Sequence, residues 1–294
     1  MMTDPARSNS DMQGSVCMVT GATAGIGAVT ATALAAQGAQ VVVVGRNKRK
    51  TEDKVRQIQS ETGSTTVHYL LADFSDLQQV RELAASFTNQ FPRLDVLINN
   101  AGAYFNTRRK TPYGVEMTFL VNHLAPFLLT NLLVDRIKAS PPARILNVSS
   151  GAHRYGSLDF DDLEFNRGYF GMKAYARSKL ANILFTYELA RRLTGTKVTV
   201  NALHPGHTAT DIWSTNFSVI GPLLKRFMGI FAISPEEGAE TSIFLATSPE
   251  VEGVTGQYFF EKKTVESSSL SYDQNLAKQL WLVSERLTGL AVVY

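Results

Sequence analysis

Tyr175 and Lys179 stand four residues apart in Tyr175-Ala176-Arg177-Ser178-Lys179, a spacing that puts both side chains on one face of a helix. A phenol alone titrates near pH ~10, too high for efficient proton exchange at neutral pH. A fixed ammonium beside it favours the phenolate and brings that value toward the working range. The pair could give a proton to a carbonyl oxygen or take one from an alcohol. Pairs of this spacing also occur as plain surface contacts, so the rest of the chain must decide.

A second signal lies near the N-terminus. The apolar run Val16-Cys17-Met18-Val19 leads into Thr20-Gly21-Ala22-Thr23-Ala24-Gly25-Ile26-Gly27 and then an Ala-rich stretch to Gln37. Strand, glycine turn and helix form the opening of a dinucleotide-binding unit. Glycines allow a tight turn and close approach to a pyrophosphate, which sits on the helix N-terminus. The end of the next apolar run bears on which dinucleotide. Val41 to Gly45 is followed by Arg46, Asn47, Lys48, Arg49 and Lys50, and no acid occupies 45–50. An NAD site would place a carboxylate there for the ribose, whereas an Arg accommodates the 2'-phosphate of NADP. Arg46 is therefore expected to read that phosphate, and NADP(H) to be preferred over NAD(H). Lys48 and Arg49 fit a solvated basic helix start.

With these two motifs the chain resembles the short-chain dehydrogenase/reductase family, over nearly its whole length. The glycine pattern is T-G-x-x-x-G-I-G; Asn99-Asn100-Ala101-Gly102 matches N-N-A-G after the strand Val96-Leu97-Ile98. Asn122 matches the helix asparagine, Ser149-Ser150 close the strand Ile145 to Val148, and Pro205-Gly206-His207-Thr208-Ala209-Thr210 matches P-G-x-x-x-T. The stretch Asn122 to Thr130 and the long Ser-to-Tyr insertion are most similar to the retinol dehydrogenase-like branch. The resemblance implies a catalytic set of Asn122, Ser150, Tyr175 and Lys179. Tyr175 would be general acid/base, Lys179 would tune it and hold the nicotinamide ribose, Ser150 would bond the substrate oxygen, and Asn122 would anchor a proton relay. Ser149 is the rival serine; the match to the second serine of N-V-S-S favours Ser150. The cofactor would be held by Gly21, Thr23, Ala24, Gly25, Ile26, Gly27, Arg46, Asn47, Asp73, Phe74, Asn100, Ala101, Gly102, Tyr175, Lys179, Pro205, Gly206, Thr208 and Thr210. Asp73 could equally cap a helix.

The elements needed to position these residues are present. Strands are expected at 16–20, 40–45, 66–71, 95–98, 143–149, 197–203 and 257–260, with helices near 25–37, 48–61, 76–90, 114–138, 172–194 and 235–247. That alternation predicts an α/β, Rossmann-type doubly wound fold, a mostly parallel seven-stranded sheet with helices on both faces. Ligands bind beyond the carboxyl ends of such strands, where Gly21, Asn100, Ser150 and Pro205 all fall. Tyr272 to Leu287 is expected to form one more amphipathic helix, on the domain or a neighbour. No linker or repeat divides the 294 residues, so 15–294 form one domain after a flexible polar segment, 1–14.

Composition narrows the remaining classes. A formal charge of +3, from 29 basic and 26 acidic residues, argues against nucleic acid as partner. The single Cys17 can form no internal disulfide, which suits a reducing cytoplasm. No apolar leader and no membrane-crossing span is expected. His68, His123, His153, His204 and His207 show no metal spacing, and no metal is expected. The acidic cluster Asp159, Asp161, Asp162 and Glu164 is expected to be a solvated loop. Substrate loops fall at 103–112, 151–171 and 208–234, taking a small, lipophilic carbonyl or alcohol. Apolar residues from Ile212 to Phe231 suit a cover over the pocket; core packing, an oligomer interface or membrane contact through Lys225 and Arg226 stay open. Oligomerisation is a family expectation. A non-catalytic regulator would have lost some of Asn122, Ser150, Tyr175 or Lys179. The family's nucleotide-sugar epimerases differ in glycine spacing, although other lyases and epimerases share the fold.

Overall fold

The computed structural model describes residues 12–206 and 234–290. The chain alternates from the start: β1 (Val16–Thr20), α1 (Gly25–Ala36), β2 (Gln40–Gly45), α2 (Lys48–Thr62), β3 (Val67–Leu71), α3 (Leu77–Gln90) and β4 (Val96–Asn99). A long helix, α4 (Met117–Lys138), contains one π turn at Leu120–Leu124. There follow β5 (Ala143–Val148), α5 (Gly171–Arg192), β6 (Val198–His204), α6 (Pro235–Thr247), β7 (Tyr258–Phe260), β8 (Lys263–Thr264) and α7 (Gln274–Thr288).

The strands make one sheet in the order β3-β2-β1-β4-β5-β6-β7-β8. Every pairing is parallel except the last, where β8 folds back on β7. Eight strands thus stand where seven were expected. The extra one has two residues and no apolar pattern to announce it, and its turn is made by Glu261 and Lys262, at φ of 49° and 63°. From β1 the chain winds one way to β3; from β4 it winds the other. The crevice at that reversal is where such folds bind ligands.

Both faces of the sheet are covered, which is why β1 and β2 are apolar at successive positions rather than alternately. Met18, Val42, Leu97 and Ile145 face α3, α4, α5 and α7. Cys17, Val19, Val41 and Val43 face α1, α2 and α6. The C-terminal helix packs on the domain itself. Trp281 of α7 sets its ring edge-on to Phe127, 5.0 Å between centres, beneath the Arg192 guanidinium at 4.1 Å. His123 shares a hydrogen bond of 2.9 Å with Ser284, and burial takes its imidazole pKa down to about 3.

One boundary and one expectation about membrane spans differ from the sequence reading. Residues 12–14 do not belong to a flexible tail: Met12 is buried and its N–H donates to Gln37 O at 2.9 Å. Residues 1–11 lie outside the described residues. The expectation that no segment could cross a bilayer also needs correction, because α4 is long and apolar enough by composition. It is a core helix here: 72% of its most apolar window is buried inside the fold.

Candidate active site

Helix α5 carries the proposed proton donor, and from Ala174 to Ala190 every residue is buried. The helix is enclosed by the sheet and α7, so side chains along it meet protein on most sides. Lys179 Nζ lies 5.4 Å from the centre of the Tyr175 ring and donates to Val148 O, at the end of β5, at 3.0 Å. The Ser150 hydroxyl, which accepts from Ala152 N at 3.2 Å, lies near enough to the Tyr175 phenol to favour its ionised form. Ser149 faces the other way, its Oγ donating to Lys179 O at 2.8 Å. Ser150 thus stands beside the phenol, and Ser149 is tied to the helix backbone.

The electrostatics depart from the simple i,i+4 argument. Burial pushes the Tyr175 phenol up to about 12, opposed by the Ser150 hydroxyl, which favours the phenolate. Burial also takes the Lys179 ammonium down to about 8. Loss of hydration is the largest effect on both groups, so burial holds the phenol above its free value, where the spacing alone predicts a lowered one. At neutral pH the site holds a protonated phenol beside an ammonium. That state suits donation to a carbonyl oxygen.

Asn122 lies in the π turn and is fully buried. Its Oδ1 accepts from Ala103 N at 2.7 Å, and its Nδ2 donates to Ala103 O and to Ser178 Oγ, each at 3.0 Å. The amide is thus a clamp between the loop after β4 and helix α5. Gly102, next in line, places its Cα edge against both Asn122 and Lys179: a Cβ there would stand 3.6 Å from Oδ1 and from Nζ.

The glycine turn forms a cradle beside this cluster. Gly21 has φ of 66°, and a Cβ on it would meet the Ala101 Cα at 2.8 Å. At Gly27 a Cβ would collide with Asn100 Nδ2 and stand 2.7 Å from Gly21 O. Ala24 precedes α1 with no side-chain cap and no acid in the first turn, which leaves the helix N–H groups open to an anion. Asn100 Nδ2 donates to Thr20 O at 2.8 Å, and the amides of Asn100 and Ala101 donate to Thr20 Oγ1 at 3.0 and 3.1 Å. Thr20 is the hub of this turn, and sequence reasoning did not single it out.

The remaining cofactor candidates divide. Arg46 is exposed at the end of β2, and among the described residues no acid pairs with it. Asn47 caps α2, its Oδ1 accepting from Lys50 N at 3.0 Å. Asp73 holds Ser75 through its N–H at 2.9 Å and its hydroxyl at 2.7 Å, while the cap of α3 is Asp76. The Phe74 ring is buried in the core, so a contact to an adenine would fall to its backbone. Thr23, Gly25 and Ile26 lie in the turn and first turn of α1. Pro205 and Gly206 follow β6; His204 stacks on Phe260 at 4.8 Å and takes a hydrogen bond from Gly206 N, a structural role. Thr208, Thr210 and the apolar stretch 212–233 lie outside the described residues.

The acidic loop departs from expectation at one residue. Asp162 is not solvated but buried, and its carboxylate accepts from Asn166 N at 2.6 Å and Arg167 N at 3.0 Å. Asp159 caps a 3-10 turn, its side chain accepting from Asp161 N at 3.1 Å. Among the described residues no group of His, Cys, Asp and Glu could hold a metal ion.

A parallel sheet with this order, a glycine cradle at its switch point and a Ser-Tyr-Lys cluster define a dinucleotide-dependent oxidoreductase fold. Residues 15–219 match the family model described as short chain dehydrogenase, and the chain belongs to that family. Within it the chain lies in the retinol dehydrogenase-like branch, whose chemistry interconverts CH–OH and C=O groups with NAD(P)(H). It is 43% identical over 294 residues to retinol dehydrogenase 14 of Homo sapiens, covering 95% of this chain and 88% of that one. Polyprenol dehydrogenase of Homo sapiens is 41% identical over 281 residues, covering 93% and 85%. A solved structure, an uncharacterised protein from Mycobacterium paratuberculosis, matches with a TM-score of 0.76 at 33% identity, covering 95% of each chain.

Proposed function

We propose that the protein is an NADP(H)-dependent reductase of lipophilic aldehydes or ketones, reversible on the corresponding alcohols, with Tyr175 as general acid/base. The observation that carries this reading is the buried cluster at the end of β5, where Tyr175, Lys179 and Ser150 stand together. A carbonyl oxygen between Ser150 and Tyr175 accepts two hydrogen bonds. Ser150 stabilises the negative charge that develops there, and Tyr175 gives its proton to the forming alkoxide. A bound nicotinamide would supply the hydride. Lys179 stabilises the phenolate left behind and holds the nicotinamide ribose. The Asn122 amide is engaged as a clamp, so in a relay that reprotonates Tyr175 its part would be to hold the Ala103 loop against helix α5.

The cradle fits a dinucleotide: its helix N-terminus is uncapped and two glycines leave room for close approach. Arg46 supports NADP(H) over NAD(H), since it stands at the position of the 2'-reader with no competing acid from 45 to 50. Lipophilic substrates are supported by Tyr104 beside Tyr175 and by Tyr155 and Phe170, which are 84% and 66% exposed on the loop between Ser150 and α5. The relatives named for retinol and polyprenol are named for lipophilic alcohols. A cytoplasmic setting belongs to the same proposal: Cys17, the only cysteine, is buried with its thiol pKa raised by burial.

The test is consumption of NADPH and of NADH with aldehydes of increasing chain length. NADPH should be oxidised faster, and kcat/KM should climb with length. Failure to oxidise either cofactor with any carbonyl, or a preference for small charged carbonyls, overturns the proposal.

A further inference from the structure

Arg177 stands two residues from Tyr175 and two from Lys179, and it is 3% exposed. Among the described residues it makes no ion pair; Asp159, Asp162 and Glu116 supply only a surrounding negative field. Backbone carbonyls hold it instead. Nε donates to Ser157 O at 3.2 Å and Nη1 to Asp162 O at 2.7 Å. The guanidinium also lies 3.8 Å over the centre of the Phe165 ring. Phe165 has φ of 57°, a left-handed conformation uncommon for a bulky residue. Burying a cation without a carboxylate partner is unfavourable unless hydrogen bonds and a π face replace its hydration. Such an arrangement on the catalytic helix calls for a purpose beyond packing.

The loop that Arg177 grips is laced to the other proposed substrate loop. Leu163 O accepts from Glu116 N at 3.0 Å, and Glu164 O from Arg108 Nε at 2.7 Å. Tyr169 donates its hydroxyl to Phe105 O at 2.6 Å. Next to Phe105, Tyr104 sets its ring edge-on to Tyr175, with 6.0 Å between centres. Contacts therefore run unbroken from the guanidinium through loop 156–170 and loop 103–112 to the ring beside the proton donor.

We propose that Arg177 is a specificity-determining positioning residue, which fixes this double-loop wall against the catalytic helix and so sets the length and bulk of the carbonyl substrate. The proposal rests on the reductase reading of the same site. Arg and Lys are not equivalent here, because only the planar fork can reach two carbonyls while stacking on Phe165.

The experiment compares wild type, Arg177→Met and Arg177→Lys with NADPH and two aldehydes, propanal and all-trans-retinal. A wall displaced by a fraction of an ångström should matter to the large substrate first. In Arg177→Met the KM for retinal should rise about tenfold or more, while kcat/KM for propanal changes less than about threefold. Arg177→Lys should fall between, and it carries the comparison if Arg177→Met does not fold. Hydrogen exchange at the Asn166 and Arg167 amides, held by Asp162, should quicken in the variants. Equal losses with both aldehydes would reduce Arg177 to a stability residue and overturn the specificity role. Unchanged exchange would overturn the clamp. A wild type that reduces neither aldehyde instead overturns the reductase reading, and the exchange rates then decide the clamp on their own.

Discussion

At the scale of residues, burial decides the chemistry more than spacing does. Tyr175 and Lys179 lie on one helix face as their four-residue interval requires, yet the phenol rises to about 12 and the ammonium drops to about 8. Identity and placement of these side chains were legible in the sequence; their protonation energetics were not, because hydration loss depends on what the rest of the chain puts around them. Reduction that needs Lys179 charged should weaken as pH rises through about 8, the value at which the folded group loses its proton. Lys179→Arg keeps a charge at every accessible pH and should remove that limb from the kcat/KM profile, at a lower plateau. An identical limb in Lys179→Arg would assign it to another group. The serines give a second check. Ser150→Ala should lower kcat by about 10²-fold through loss of oxyanion stabilisation, whereas Ser149→Ala should act mainly on stability. Reversal of that order would exchange their roles.

At the scale of elements, most of the fold could be read from periodicity. The apolar strands and amphipathic helices fall within a few residues of expectation. The features that periodicity does not reach have local causes. Strand β8 is too short to carry a pattern, and the π turn in α4 carries Asn122, whose side chain pairs with Ala103 and Ser178, distant in sequence. The buried Asp162 was hidden among acidic neighbours of the same composition. Asn122→Leu should destabilise the protein by about 1–3 kcal/mol, the usual effect of leaving buried donors and acceptors unpaired. Denaturant unfolding measures it, and an unchanged midpoint would show that the clamp is dispensable.

At the scale of the whole molecule, the sheet, its helices and the C-terminal α7 form one enclosed body around α5. That enclosure holds His123 neutral, with a folded pKa near 3 against 6.5 for the free group. Between those values the unfolded chain binds a proton that the folded chain refuses, so stability declines as pH falls below about 6.5. The decline approaches about 1.4 kcal/mol per pH unit for this histidine. Urea unfolding at pH 7 and pH 5 should show it, and His123→Gln should flatten the slope; an equal slope would place the acid sensitivity elsewhere. Cofactor preference is also a property of the assembled crevice. Arg46→Asp should weaken NADPH about ten- to a hundredfold, the usual worth of a charge-assisted bond, and move preference toward NADH. Equal losses for both cofactors would contradict the 2'-phosphate role.

Proton transfer by Tyr175 is the claim on which the rest depends. The most direct measurement is single-turnover reduction of all-trans-retinal by wild type and by Tyr175→Phe, with NADPH affinity titrated in parallel. The phenylalanine keeps the ring packed against Tyr104 and removes only the hydroxyl. Turnover should fall by about 10²–10⁴ while NADPH binds as before; near-native turnover in Tyr175→Phe would contradict the account.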